Sequence, residues 1–319
     1  MAGPHDALFK LAFSDVEEAA PLLRSVLPNP LTELIDWSTL RVMPGSYVDE
    51  TLSNRYSDLL YSARIGGETV LIYLLVEHQS TVFRLMGFRM LRYVVRIWEG
   101  WLRDAPNGGG LPKVVPVVIY AGEDEWDAPT DVESLVRGDT DAWTPRMSFI
   151  LDDLTRLSEA DLAGRNLGVF AELVVRALTR LRTSSAPLGE LRSWLPLLER
   201  LLLAKNGLER FRALIEYLAS VANFEPEALP PIVRQLGPAA EETAVTAAER
   251  LRQQGFERGL EQARIEMTLL QLRMKFGESL PQDILARVES GTEADFAAWS
   301  GRILTANRLE EVFVDLYLD

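Results

Sequence analysis

An apolar run of the sequence ends in three polar residues whose side chains could do chemistry. Residues 73–80 read YLLVEHQS, so a strand-like stretch leads directly into Glu77, His78 and Gln79. Side chains alternate between the two faces of a β-strand. Glu77 and Gln79 are therefore predicted to lie on one face of the sheet, and His78 points to the other.

A β-hairpin is predicted to bring a second carboxylate, that of Asp58, to this strand end. Asp58 lies in the run YSDLLYSARI, which the pair Gly66-Gly67 separates from the strand of Glu77. A two-residue turn at these glycines makes Glu77 a diagonal neighbour of Asp58, whereas a four-residue loop through Thr69 places the two residues directly opposite each other. Either loop leaves both carboxylates on one sheet face, roughly 5–8 Å apart. An odd-length loop without a bulge would separate them.

Two carboxylates at this distance repel each other unless a cation lies between them. The chain has no cysteine, so the ligands of such a cation would be oxygen atoms. A hard cation, Mg²⁺ or Mn²⁺ with bound waters, fits this ligand set. The alternative is a solvated strand end or a carboxylate that pairs with a basic side chain, and the residues alone leave both interpretations open.

The helix predicted after this strand, over residues 82–103, carries a row of arginines. Arg89, Arg92, Arg96 and Arg103 lie within about 60° of one another around the helix axis. They could bind phosphate groups beside the metal site, or they could pair with the protein's own carboxylates. The same helix has a separate apolar face, formed by Phe88, Leu91, Val95, Trp98 and Leu102.

The composition is that of a globular protein from a reducing compartment. The 319 residues are 47% hydrophobic and 25% charged, and the absence of cysteine excludes disulfides and a cysteine nucleophile. Neither a signal peptide nor an apolar stretch long enough to cross a membrane is found, so we expect a cytoplasmic protein without a membrane partner. The formal charge of −14 argues against a broad nucleic-acid surface, so a polyanion would need a local positive patch.

The order of predicted elements indicates an α/β domain that is followed by helical regions. Two short helices, the second with Ser14 as its N-cap, precede the hairpin, and the arginine helix and a strand over residues 113–120 follow it. Pro116 predicts an edge position or a bulge for that last strand. The predicted domains are the α/β domain 1–152, a helical domain 153–236, a long helix 237–277 and a small helical domain 278–319.

The long helix is predicted to begin near residue 239 and to end at Gly277. Its outer faces are well charged, and Gly255 and Gly259 provide a G-x-x-x-G spacing. Long charged helices commonly bury one stripe against a partner, so we expect a homo-oligomer, a dimer formed through this helix.

Five blocks of the sequence together resemble a known family. They are PHDALFKLAFSD, YVDETLSNRYSDLLYSARI, LIYLLVEHQS, FRMLRYVVRIWE and LPKVVPVVIYAGE. In this order, over roughly residues 4–150, they resemble the Rpn-type recombination-promoting nuclease and putative transposase family. Asp58 followed by Glu77-His78-Gln79 resembles the PD-(D/E)XK nuclease core, with an E-x-Q variant of its E-x-K motif. The part from about Gly255 onward is similar to a helical domain of unknown function that often follows this nuclease domain.

The resemblance implies a restriction-endonuclease-like mixed sheet flanked by helices, and metal-dependent cleavage of DNA in recombination or transposition. It makes Asp58 and Glu77 the ligands of Mg²⁺ or Mn²⁺, with the backbone carbonyl of His78 as a further ligand. Gln79 takes the position where the wider superfamily has a catalytic lysine. A lysine supplies positive charge near the attacking water, whereas a glutamine can only orient that water by hydrogen bonding.

Two further expectations accompany the resemblance. The first helix of the superfamily sometimes contributes an acidic group, and Asp6 and Lys10, one helical turn apart, are candidates to support the site. Their alternative role is an N-terminal cap and an exposed ion pair. The net charge and Gln79 also leave open a second function, that of a DNA- or protein-binding assembly protein built on a catalytically weakened nuclease core.

Overall fold

The computed structural model describes residues 3–44, 57–77, 82–104, 110–181, 184–221 and 224–314. The strands within these ranges are β1 (Ile35–Val42), β2 (Ser57–Ile65), β3 (Glu68–Glu77), β4 (Lys113–Tyr120) and β5 (Ile150–Asp153). The helices that precede β5 are α1 (Pro4–Phe13), α2 (Val16–Val26), α3 (Asn29–Leu34) and α4 (Met86–Asp104). The helices that follow it are α5 (Glu159–Gly164), α6 (Val169–Arg176), α7 (Pro187–Ser193), α8 (Leu195–Leu202), α9 (Gly207–Val221), α10 (Leu229–Val233), α11 (Pro238–Phe276), α12 (Gln282–Glu289) and α13 (Glu293–Thr305).

The strands form one mixed sheet in the order β1-β2-β3-β4-β5. The pairs β1–β2 and β2–β3 are antiparallel, and β4 runs parallel to both β3 and β5. This is the α/β architecture with flanking helices and a helical C-terminal region that the sequence predicts. A crossover through α4 joins the parallel strands β3 and β4, as parallel pairing requires.

Of the two hairpin loops considered above, the β2–β3 hairpin has the two-residue turn. Ile65 pairs with Glu68 across Gly66 and Gly67, whose φ angles of +57° and +90° lie in the left-handed region that favours glycine. Asp58 consequently pairs with Leu75, and Glu77 lies two residues further along β3.

Each face of the sheet packs against a different set of helices. Alternate side chains of β2 and β3, including Leu59, Tyr61, Ile72 and Leu74, join a core with α1, α2, α6, α8 and α9. The other face, which carries Leu60, Leu71, Tyr73 and Leu75, packs against α4 through Met86, Met90, Tyr93 and Ile97. Asp58 and Glu77 have the parity of this second set, so both belong to the face that α4 covers.

Two strands and the place of β4 in the sheet differ from the sequence-based expectation. Neither β1 nor β5 is predicted, and β4 is an inner strand although Pro116 suggests an edge or a bulge. The described pairing of β5 begins opposite Val117, one residue after the proline. Among the described residues, only β3 flanks the strand at Pro116, so the missing N–H removes no bond to β5.

Helix ends follow local chemistry. The N-cap of α2 is Asp15, whose carboxylate accepts a hydrogen bond from the backbone amide of Glu17 at 2.9 Å. Ser14, the predicted N-cap, is instead the C-cap of α1. The long helix α11 covers Pro238–Phe276 and stops before Gly277, whose φ of +105° ends the helix as predicted.

The chain divides into two compact units, residues 1–248 and 249–319. In the first, α6, α8 and α9 share one apolar core with the sheet. In the second, the C-terminal part of α11 packs with α12 and α13 around Leu272, Val288 and Trp299. The predicted boundary after residue 152 falls inside the first unit and that after residue 277 inside the second, and the division into four domains stays a prediction.

None of the helices that the structure describes is both long and apolar enough to cross a membrane.

Candidate active site

Two carboxylates meet on the sheet face beneath α4, where β2 begins and β3 ends. Asp58 is the second residue of β2 and Glu77 is the last residue of β3. Since Asp58 pairs with Leu75, Glu77 is its diagonal neighbour on the same face. Diagonal neighbours of this kind lie about 7–8 Å apart, a separation that one bridging cation and its waters can span.

Asp58 is half-buried and only partly satisfied. Its Oδ2 accepts a hydrogen bond from the hydroxyl of Tyr73 at 2.8 Å. Its Oδ1 is buried and has no hydrogen-bond partner in the described part of the chain. Burial raises the pKa of Asp58 to about 6, against the opposing effects of the Tyr73 hydroxyl and of the charges on Lys10 and Arg89. A carboxylate in this environment favours either a proton or a cation.

Glu77 is more deeply buried and is paired with a cation of the protein itself. Its side chain is 1% exposed, and its Oε2 accepts a hydrogen bond from Nη1 of Arg89 at 2.6 Å. The guanidinium of Arg89, 12% exposed, also lies 5.9 Å from the ring of Phe83 and 5.8 Å from that of Tyr93. Arg89 therefore pairs with one of the protein's own carboxylates, which is the alternative to phosphate binding that the sequence left open.

The predicted arginine row divides into an inner and an outer part. Arg89 turns toward the site, whereas Arg92, Arg96 and Arg103 are exposed. Among these three, Arg96 forms an ion pair with Glu99 at 2.9 Å. The exposed positive surface of α4 is therefore made by its outer arginines.

The apolar faces of α4 are distributed differently from the prediction. Phe88, Val95 and Leu102 of the predicted apolar face are 41–51% exposed, and the residues that meet the sheet are Met86, Met90, Tyr93 and Ile97. The side chains of this second set interdigitate with Leu60, Leu71, Tyr73 and Leu75. The helix is thus turned so that Arg89 faces the end of β3.

Asp6 and Lys10 lie on the first helix, on the other side of β2. Asp6 is buried and its Oδ2 accepts the backbone amide of Gly3 at 3.2 Å, so it helps to cap α1. Lys10 is half-buried, and its charge partly offsets the rise that burial causes in the pKa of Asp58. Of this pair, Lys10 thus has an electrostatic connection to Asp58, and Asp6 has a structural role at the helix start.

His78 and Gln79 lie outside the described residues. Within the described ranges, no group of three or more acidic, histidine or cysteine side chains could hold a metal ion. Asp58 and Glu77 place two carboxylates on one sheet face. Within the described residues, Oδ1 of Asp58 is buried and has no hydrogen-bond partner. This donor set is compatible with a hard cation that completes its shell with waters and backbone oxygens.

Sequence reasoning missed one member of the site, Tyr73, and did not foresee the partner of Arg89. Tyr73 has the same parity in β3 as Glu77, which is a signal that its hydroxyl shares a face with the carboxylates. Nothing in the residue spacing distinguishes Arg89 from the other arginines of the row, because its inward direction depends on how α4 packs.

The mixed sheet with flanking helices and a carboxylate pair at its hairpin places the chain in the α/β nuclease-like class of folds. The model of the family described as putative transposase, YhgA-like, matches residues 3–200. The chain belongs to this Rpn-type putative transposase family, which confirms the resemblance found in the sequence.

Several curated proteins are similar to the chain. It is 28% identical over 317 residues to the inactive recombination-promoting nuclease-like protein RpnE of Escherichia coli (strain K12), a match that covers 92% of this chain and 96% of RpnE. It is 41% identical over 119 residues to the recombination-promoting nuclease RpnA of the same strain, covering 37% of this chain and 40% of RpnA. The match to the recombination-promoting nuclease RpnC of that strain is 38% identical over 120 residues, 38% of this chain and 39% of RpnC. No solved structure matches the chain.

The raised pKa of Asp58 predicts a pH-dependent effect of Asp58→Asn in EDTA. The folded protein favours the neutral acid, so the contribution of Asp58 to stability is full below about pH 4 and is lost as the pH rises through 6. Asparagine never ionises and loses no stability over this range. Between about pH 4.5 and pH 8, the free energy of unfolding of Asp58→Asn should therefore rise by about 1–3 kcal/mol relative to that of the wild type. Urea unfolding at both pH values measures this gain, with Asp139→Asn in an exposed loop as the matched control. An equal difference at both pH values would show that the pKa is not raised.

Proposed function

We propose that this chain is a metal-dependent DNA endonuclease that acts in recombination or transposition. Asp58, Glu77 and the backbone carbonyl of His78 would hold Mg²⁺ or Mn²⁺. The observation that carries the proposal is the buried Oδ1 of Asp58, which has no partner in the described residues and lies on the same sheet face as Glu77. The names of RpnA and RpnC, recombination-promoting nucleases, support the same activity.

The bound cation would lower the pKa of a coordinated water and stabilise negative charge on the scissile phosphate. The residues of the chain prepare the site for this chemistry. Tyr73 fixes the orientation of Asp58 through its hydroxyl, and Lys10 adds positive charge near that carboxylate. Gln79, in place of a lysine, would orient the attacking water by hydrogen bonding.

The DNA surface that we propose is the outer row of α4. Arg92, Arg96 and Arg103 are exposed on the helix that also places Arg89 in the site. Phosphate contacts of this kind position a nucleic acid without reading its sequence. A local row of this sort answers the objection that a chain of charge −14 repels DNA, because surface charges are screened beyond about 8 Å at physiological salt.

A second candidate function is that of a DNA- or protein-binding assembly protein on a catalytically weakened nuclease core. The observation that favours it is the pairing of Glu77 with Arg89 at 2.6 Å, because this gives a proposed metal ligand a cation from the protein itself. The similarity over nearly the full chain to RpnE, a protein named as inactive, points in the same direction.

Cleavage of supercoiled plasmid DNA decides between the two functions. We expect Asp58→Asn and Glu77→Gln each to reduce Mg²⁺-stimulated cleavage at least about a hundredfold, because each removes a charged ligand of the metal. Glu68→Gln, an exposed carboxylate at the other end of β3, is the matched control and should cleave like the wild type. If the wild type binds DNA without cleaving it, the assembly function is supported; equal cleavage by the wild type and both site variants would place the activity elsewhere.

Binding of DNA in Ca²⁺ at several salt concentrations tests the outer arginine row. The double variant Arg92→Gln/Arg103→Gln should bind more weakly and with a shallower dependence on salt, since each lost phosphate contact lowers the slope by about one. Arg200→Gln, an exposed arginine on α8, is the control. An unchanged salt slope in the double variant would remove α4 from the DNA surface.

The homodimer that we propose forms through the C-terminal half of α11. This half presents a row of exposed apolar or small side chains that alternate in spacing between four and three residues: Phe256, Leu260, Ala263, Met267, Leu270 and Met274. That spacing is typical of the seam of a coiled coil. The opposite side of the helix, with Thr268 and Leu272, is already buried within the second unit.

A charge placed in this row should break the dimer. We expect Leu260→Glu to halve the molar mass measured by light scattering, because the carboxylate would be buried against the partner helix. Arg258→Glu, exposed on α11 outside the row, should leave the mass unchanged. A wild-type protein that is monomeric at all concentrations tested would contradict the dimer.

A further inference from the structure

The side chain of Arg89 holds a fixed position between the helix and the sheet. Its helix is anchored two residues earlier by Gly87, where an added Cβ would lie 2.7 Å from the carbonyl oxygen of Asp131. Met86 and Met90, on either side of it in sequence, are fully buried. The position from which Arg89 reaches the sheet is therefore set by close packing.

The guanidinium is held by contacts of several kinds. Nη1 donates to Oε2 of Glu77 at 2.6 Å, and Nε donates to the hydroxyl of Tyr93 at 3.4 Å. The rings of Phe83 and Tyr93 lie within 6 Å of its Cζ, at the distance of a cation–π contact. A short charge-assisted bond to a carboxylate that is 1% exposed is among the stronger hydrogen bonds in a protein.

The same group of side chains reaches the second carboxylate. The ring of Tyr93 lies 5.1 Å from that of Tyr73, whose hydroxyl donates to Asp58 at 2.8 Å. Asp58 and Glu77 are therefore held by adjacent members of one layer, with the positive charge of Arg89 within reach of both. A divalent cation that binds the two carboxylates enters this layer.

A divalent cation and a guanidinium on the same buried carboxylate repel each other. The repulsion is several times stronger in a partly buried site than in water, because the effective dielectric constant is lower. Resting on the metal-dependent function proposed above, we infer that Arg89 is a positioning residue that competes with the metal for Glu77. It occupies this carboxylate in the metal-free protein and releases it when the cation binds.

Calorimetric titration with Mn²⁺ tests the competition without reference to cleavage. Arg89→Met should bind Mn²⁺ roughly tenfold more tightly than the wild type. Arg89→Lys, which keeps the charge, should stay close to the wild type. Arg200→Met, an exposed arginine on α8, is the control and should also leave the affinity unchanged.

Thermal unfolding provides the second measurement. In EDTA, Arg89→Met should melt at a lower temperature than the wild type, because Glu77 loses this cation, and Mn²⁺ should raise its melting temperature more than that of the wild type. If Arg89→Met does not fold, Arg89→Gln replaces it in both measurements, since glutamine can still donate to Glu77 but carries no charge.

Three outcomes would overturn the inference. Equal Mn²⁺ affinity in Arg89→Met and the wild type means that the two cations do not compete. Weaker Mn²⁺ binding by Arg89→Met means that the arginine assists the metal. If the wild type and all variants fail to bind Mn²⁺, the competition is absent, and the metal-dependent function proposed above fails with it; Mn²⁺ binding at equal affinity leaves that function intact.

Discussion

Two carboxylates lie in one layer between a sheet and a helix, and the rest of the site depends on how their charge is compensated. Transfer of an ionised carboxylate out of water costs several kcal/mol unless it gains a partner. Glu77 receives the guanidinium of Arg89, whereas in the described part of the chain Asp58 receives only the hydroxyl of Tyr73, on one of its two oxygens. The imbalance is seen in the raised pKa of Asp58. It makes Asp58 the carboxylate with more to gain from an added cation.

The helix α4 connects the packing of the fold to this electrostatic requirement. Its inner residues, such as Met90 and Ile97, fix its distance and rotation against the sheet. That rotation aims Arg89 at the end of β3 and leaves the remaining arginines of the row on the outside. The same packing also explains why the apolar residues Phe88 and Val95 stay exposed, since a helix on one sheet face can bury only one stripe.

Local rules predicted much of this arrangement. The glycine pair and the alternation of β2 and β3 predicted a hairpin, and hairpin parity predicted a common face for Asp58 and Glu77 under either even-length loop. The choice between the two registers, however, depends on the positive φ angles of Gly66 and Gly67, which residue types permit but do not require. The strands β1 and β5 were missed because they are short or half-exposed, so their apolar alternation is weak.

The direction of Arg89 could not be predicted, because it is a property of tertiary packing. Helical periodicity places Arg89, Arg92 and Arg96 on one side of α4. The inward direction of Arg89 comes from the close packing of its neighbours Met86, Gly87 and Met90. The consequence reaches the function of the row. With Arg89 engaged by Glu77 and Arg96 by Glu99, much of the positive charge on α4 is compensated within the helix and the sheet. In a chain of charge −14, the cation that we propose between the two carboxylates would add positive charge near this face, so that substrate binding and metal binding would be coupled at one site.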